Sequence, residues 1–146
     1  MAYSTESDII KRLPESDLQK LTDDDNSGIV DSSVVSECIE QADGMIDGSL
    51  ARYYKLPLSS TPALVKKLSC DIAIYLFFQR KTNEVPPAWN AAYNMAMTTL
   101  KEIAKGNIIL SVDTVIETDT SSVSTGTVVT QYWSDDKRET ENFFDY

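Results

Sequence analysis

One stretch of the chain, residues 31–54, decides the fold, and it reads DSSVVSECIEQADGMIDGSLARYY. Its apolar residues recur at spacings of three and four, the periodicity of a helix with one buried face. Asp31 is a good helix N-cap, and Leu56-Pro57-Leu58 ends the pattern. The stretch therefore predicts a helix of about 23 residues starting at Ser32. Its apolar positions are Val34, Val35, Cys38, Ile39, Ala42, Met45, Ile46, Leu50, Tyr53 and Tyr54.

Two more long helices are predicted downstream. The first has Thr61 as its cap and Pro62 in the first helical position, and its apolar pattern continues to about Lys81. The second opens at Pro86-Pro87 and ends at Lys105-Gly106, a basic last turn followed by a glycine. Helix faces this apolar have to be buried against one another.

Two short helices are predicted before residue 31. Ser4 or Thr5 can cap the first, which Pro14 stops, and the second covers residues 15–21. Together the five helices predict a mainly α protein, a small bundle of three long and two short helices that forms one domain over residues 1–107.

The composition changes after Gly106. Residues 108–117 and 123–133 are rich in Val, Ile, Thr and Tyr, which predicts a β-hairpin or an extended arm over residues 108–146. The last stretch is acidic but aromatic, with no core of its own. Because a lone hairpin is marginal in water, we expect the arm to pack on other protein molecules. The expected contact residues are Val112, Val115, Ile116, Val128, Val129, Tyr132, Trp133, Phe143, Phe144 and Tyr146.

The charge and the lack of histidine exclude several functions. A net charge of -10 argues against gripping nucleic acid, because phosphate binding depends on Lys and Arg, although a duplex could pass nearby. The chain has no His, the commonest general base and metal ligand, and no nucleotide-binding or zinc motif, so we expect no enzyme. For Lys66, Lys67, Arg80 and Lys81 we expect salt bridges between subunits, with a phosphate site as the less favoured alternative.

The cysteines and the longest apolar stretch point to a soluble protein. Cys38 and Cys70 lie in apolar helical patterns and are interpreted as buried reduced thiols, with a disulfide or a reactive thiol as the alternatives. Residues 68–78 are too short and too interrupted to span a bilayer, and residues 1–21 are too polar for a signal peptide. We expect no membrane partner.

An Asp-rich loop over residues 22–31 is the one candidate metal site. Asp23, Asp25, Ser27 and Asp31 fall at positions 1, 3, 5 and 9 of an EF-hand-like loop, with Gly28 at the turn. Position 12 is Val instead of the bidentate Glu, so at best weak calcium binding is expected. The alternative is an Asx-rich turn in which Asp31 caps the following helix.

Two further groups have both a chemical and a structural interpretation. Asp43 and Asp47 lie four residues apart on the long helix and could form an acid/base or metal pair, but a solvated or subunit-facing helix surface explains them better. Trp89 and Tyr93 could line a ligand site, but are more often anchors of a core.

The order of these features resembles a family of phage proteins typified by the Mu-like neck or head-completion protein. The resemblance extends from the first helix to about Leu110. Its most specific part is the Asp-rich loop followed by Ile46-Asp47-Gly48, Leu50-Ala51-Arg52-Tyr53 and Leu56-Pro57-Leu58. The other matching residues are Tyr3 to Leu13, Leu21-Thr22-Asp23, Gly28 to Asp31, Ala42-Asp43, Pro62, Leu64, Leu68 to Tyr75, Leu100, Ile103, Ala104, Gly106 and Ile108.

The resemblance implies a head-tail adaptor of the virion neck, assembled in the bacterial host cytoplasm. Such adaptors form rings of about twelve copies below the portal protein, extend the DNA channel and meet the next neck or tail-completion protein. The arm after residue 110 is longer and more β-rich than that family pattern.

The leading hypothesis is therefore a non-enzymatic connector subunit without a cofactor. Deleting residues 111–146 should leave a folded monomer that no longer assembles. One alternative is a small calcium-responsive protein-binding module that uses the Asp-rich loop, and another is an enzyme with a carboxylate pair.

Overall fold

The computed structural model describes residues 1–82 and 84–112, and its secondary structure is mainly helical. The two short and three long helices that the sequence predicts are confirmed. The hairpin or arm predicted for residues 108–146 lies, from residue 113 onward, outside the described residues. The helices are α1 (Glu6–Ile10), α2 (Glu15–Thr22), α3 (Ser32–Leu50), α4 (Ala63–Thr82) and α5 (Pro87–Ala104).

The three long helices pack against one another and form the bundle. α4 lies against α2, α3 and α5, and it has more buried residues than any other of the five helices. Its buried side chains lie on more than one face, which explains why its sequence has little amphipathic pattern. They include Val65, Leu68, Ile72, Ile74 and Phe77.

The two short helices close the bundle at its N-terminal side. Ile9 of α1 and Leu18 of α2 are fully buried, and Leu13 between them is 3% exposed. Thr5 caps α1 with a capping box, in which Thr5 and Asp8 exchange side-chain and backbone hydrogen bonds. Burying these side chains contributes more than the short helices could gain from helix propensity alone.

The structure corrects three of the expected helix boundaries. α3 ends at Leu50 and not at Tyr54: the amides of Tyr53 and Tyr54 both donate to the Leu50 carbonyl in a tight turn. Tyr54 remains buried, which extends the apolar pattern past the helix. Pro62 precedes α4 instead of starting it, and its carbonyl accepts the Lys66 amide at 3.0 Å.

The third correction is at α1, which ends at Ile10, before Pro14. The other ends follow the sequence. α5 begins at Pro87, and Gly106 follows it with a φ of 82°, the left-handed conformation that glycine adopts without strain. Within residues 1–82 and 84–112, no helix has both the length and the apolar character that crossing a bilayer requires.

Candidate functional site

The Asp-rich loop is held by its own hydrogen bonds. One Asp23 oxygen accepts the Ser27 amide and the other the Gly28 amide, both at 2.8 Å. These two bonds hold the pKa of Asp23 below its ordinary value. Gly28 has a φ of 80°, as the Asx-rich turn requires. Both oxygens of the first candidate calcium ligand are therefore already engaged with the backbone.

Asp31 is engaged with its own helix. Its carboxylate accepts the Ser33 amide at 2.9 Å and the Ser33 hydroxyl at 2.5 Å, and these bonds lower its pKa. The predicted N-cap of α3 is thus confirmed. Asp25 is exposed. Among the described residues, no three Cys, Asp or Glu side chains are arranged to hold a metal ion. Weak calcium binding stays a prediction that calorimetric titration can test.

Asp24 connects this loop to the end of α4. Its carboxylate pairs with the Arg80 guanidinium and, at 2.7 Å, with the Lys81 ammonium. Hydrogen bonds from both cations lower the pKa of Asp24 to about 2. Arg80 and Lys81 therefore pair with an acidic residue of their own chain, and the salt bridges expected between subunits stay a prediction.

The other two basic residues of that set also have partners within the chain. Lys67 Nζ lies 2.7 Å from Oδ2 of the fully buried Asp71, and Lys66 pairs with Asp8. Oδ1 of Asp71 lies 2.5 Å from Arg12 Nη2 but accepts no hydrogen bond of good geometry. These pairs were missed because the cations cluster in sequence, whereas their acidic partners lie on another helix or one turn away.

Asp43 corrects the interpretation of the carboxylate pair as a solvated or subunit-facing surface. It is only 5% exposed, and its oxygens accept the Tyr3 amide at 2.8 Å and the Ser69 hydroxyl at 2.7 Å. Ser69 in turn lies 2.7 Å from the hydroxyl of Ser4. Asp47 accepts the Tyr3 hydroxyl. The two carboxylates thus fix the N-terminal segment against α3 and α4.

The electrostatics of this network follow from burial. Burial raises the pKa of Asp43, and the hydrogen bonds from Ser69 and Tyr3 only partly oppose it. Burial and the Asp47 contact raise the pKa of the Tyr3 hydroxyl. All these polar groups bond to one another, which is the arrangement of a structural network. The available signal was Ser69, a polar residue in the apolar pattern of α4.

The cysteines and the two aromatic residues have structural positions. Cys38 and Cys70 are buried free thiols, as expected, and burial raises the pKa of each. Trp89 and Tyr93 are half-buried at the edge of the core. Tyr93 stacks on Tyr75 with ring centroids 3.9 Å apart.

Few of the expected contact residues fall in the described part of the chain. Val112 is half-buried against the helical core of its own chain. The other nine lie outside the described residues. Sequence reasoning did not single out the exposed large apolar side chains, which include Met1, Ile29, Met95 and Ile109, or the groove beside α3.

The chain is similar to proteins of phage Mu and of a Mu-like prophage. A family model described as Bacteriophage Mu, Gp36 matches residues 3–129. Gene product J of Escherichia phage Mu is 28% identical over 137 residues, which is 92% of each chain. The Mu-like prophage FluMu protein gp36 of Haemophilus influenzae is 28% identical over 108 residues, 74% of each chain.

Proposed function

The chain belongs to the bacteriophage Mu Gp36 family, and from this premise we propose that it is a structural virion protein, a head-tail connector subunit of the phage neck. In this proposal identical subunits form a ring of about twelve copies around the DNA channel. One side of the ring meets the portal protein and the other the next neck or tail-completion protein. The ring assembles in the host cytoplasm and stays in the virion.

The observation that carries the proposal is the extent of the family match, residues 3–129. It covers all five helices and continues into the segment from which most of the expected contact residues come. A family match that covers the helical unit, residues 1–112, almost entirely and continues through residues 113–129, which are rich in Thr, Ser and Val, fits a protein whose two parts have different tasks: the unit folds by itself, and the following segment binds neighbours.

The interior of the helical unit supports a structural role. The buried carboxylates Asp43 and Asp71 bond to groups of their own chain, and so does Asp23 of the loop. A catalytic carboxylate has to be open to a substrate, whereas these oxygens hold helices and loops together. The work of such a protein is done through surfaces, and we therefore propose no reaction and no cofactor.

The charge supports a place beside DNA without a grip on it. The chain carries 23 acidic and 13 basic residues, and Lys66, Lys67, Arg80 and Lys81 are paired inside the chain. A ring of such subunits would present excess negative charge to a passing duplex. Repulsion of this kind lets DNA move through a channel without binding to its wall.

A phage that lacks this chain tests the proposal. We expect DNA-filled heads and separate, complete tails that do not join, and we expect the purified chain to restore joining when it is added to an extract. Electron microscopy of the lysate distinguishes the outcomes. Intact infectious particles without the chain would contradict the proposal, and so would the absence of heads altogether, because a connector acts after the head is filled.

A further inference from the structure

The exposed side of α3 borders a groove. Residues 1–6 run beside the helix and leave a groove of about 600 Å³ between them and α3. Val35 and Ile39 contribute an apolar part of its lining, and Glu40 contributes a carboxylate. Gly44 lines the groove with no side chain at all, so another helix can come close to α3 at this point.

Two glycines on α3 have no role in the packing of the part of the chain that the structure describes. Gly44 and Gly48 lie four residues apart on the exposed face of the 19-residue helix. A Cβ added at either would meet no atom of residues 1–82 or 84–112 within 4 Å, and neither has a positive φ. Each glycine nevertheless costs about 0.5–1 kcal/mol of helix stability relative to alanine. That cost points to a close contact outside the subunit.

The exposed face of α5 has the amino-acid composition of a protein–protein interface. No charged residue occurs from Val85 through Leu100, in a chain of which 25% is charged. Ala88, Ala91, Met95 and Thr98 are exposed and share one stripe of the helix. Met95 is 66% exposed. Solvent-facing helix surfaces normally carry charges, whereas the centres of protein interfaces lack them and are enriched in Met.

We propose that α5 of one subunit lies antiparallel in the α3 groove of the next subunit. Met95 enters the groove beside Gly44, and Lys101 pairs with Glu40. The occupant is a second copy of this chain, so the inference rests on the ring in the proposed function and identifies two surfaces that contribute to it, beside the contacts expected of the arm.

The order of side chains along the two helices determines this direction. On α3 the acidic Glu37 and Glu40 come before Gly44 and Gly48, whereas on α5 the small side chains come before Lys101. Antiparallel packing therefore places small residues against small residues and the cation beside the carboxylates. From Gly44 to Glu40 is about 6 Å along a helix, and from Met95 to Lys101 about 9 Å; the long Lys101 side chain can span the difference of about 3 Å.

Both charges are available for the pair. Glu40 and Lys101 are exposed, and within residues 1–82 and 84–112 neither forms an ion pair. The groove and the α5 face share no residue. Each subunit therefore has two different contact surfaces, one for each neighbour, which is the head-to-tail arrangement from which rings close.

Charge reversal in the full chain tests the contact. Glu40→Lys and Lys101→Glu should each raise the protein concentration needed for half-maximal assembly on the portal protein by roughly ten-fold, because like charges then face each other. The double variant should recover most of the loss. Native mass spectrometry and negative-stain imaging measure assembly. Glu84→Lys and Lys20→Glu, with the same changes of charge at exposed positions outside both surfaces, should assemble as the wild type does.

The outcomes separate this inference from the proposed function. If the wild type assembles and the single variants assemble equally well, the α3–α5 contact is wrong and the ring stands. If the singles fail and the double variant fails as badly, the Glu40–Lys101 pair is wrong. If the wild-type chain does not assemble on the portal at all, the ring and the contact are both wrong.

Discussion

Asp43 makes the free energy of unfolding of the helical unit depend on pH, and in the direction opposite to that of a carboxylate with a lowered pKa. Burial raises its pKa above the ordinary value of 3.8, so the native state binds this proton more tightly than the unfolded state does. The free energy of unfolding that Asp43 contributes is therefore highest at low pH. It falls as the pH rises from 3.8 through the native pKa and is level above that.

Asp43→Asn removes this titration. We expect the wild type to lose stability relative to the variant as the pH rises from about 4 through the native pKa of Asp43, because only the wild type has to bury the charge. Asp23, Asp24 and Asp31, whose pKa values are lowered, titrate equally in both proteins and cancel. Urea denaturation at several pH values measures the difference. A difference that stays constant with pH would rule out the raised pKa.

Asp71 should contribute more to stability than any surface charge. Asp71→Asn leaves Arg12 and Lys67 without their buried anion, and we expect the free energy of unfolding to fall by roughly 2 kcal/mol. The cost stays below that of a fully enclosed pair because the two cationic side chains are 31% and 52% exposed and can be solvated. Chemical denaturation measures this loss.

Asp17→Asn is the control, because it breaks an exposed pair with Lys20 and should change the free energy of unfolding by less than about 0.5 kcal/mol. An equal loss in both variants would contradict the stabilising role of Asp71.

At the level of single residues the sequence predicts some roles and misses others. Asp31 as a cap and Gly28 and Gly106 as turn residues follow from local chemistry, which a sequence contains directly. The partners of Asp43 do not, because Tyr3 and Ser69 are 40 and 26 residues away along the chain. A contact of that kind is created by the packing of α3 against the N-terminal segment and α4. No local pattern indicates it.

Two glycines of the chain should respond to alanine in opposite directions, because they belong to different elements. Gly48 lies inside α3, so Gly48→Ala should raise the stability of the monomer by about 0.5–1 kcal/mol. Gly106 ends α5 with a positive φ, so Gly106→Ala should lower it by about 1 kcal/mol or more. Thermal and urea denaturation of the two variants measure this. Destabilisation by both would show that Gly48 has a role inside the subunit.

The helices themselves were predictable, and their ends less so. Periodicity identifies α3 because its buried residues lie on one face, and prolines and glycines mark most of the ends. The sequence predicts that α3 ends at Tyr54, because Tyr53 and Tyr54 continue the apolar pattern. In the structure Tyr54 is buried after the helix has ended, and its hydroxyl accepts the Leu110 amide at 2.8 Å. Burial alone therefore does not distinguish a last helical turn from a turn that packs on the core.

For the whole molecule, truncation separates folding from assembly. A chain ending at Val112 keeps all five helices and the buried Leu110, and we expect a cooperatively folding monomer with the helical circular dichroism of this unit. It keeps the α3 groove and the α5 face, but we expect no stable ring, because the contacts expected of the arm are needed in addition to the α3–α5 contact. Sedimentation velocity and circular dichroism measure the two properties. Loss of the fold on truncation would show that the helical unit depends on the arm.

The central claim is that this chain works by forming a closed ring on the portal. Imaging of the purified chain bound to the portal protein of its phage, with the mass of the complex, tests this claim most directly. The proposal predicts one ring of about twelve copies below the portal, coaxial with the DNA channel. Single copies scattered on the portal, or a chain that does not bind it at any concentration, would contradict the claim.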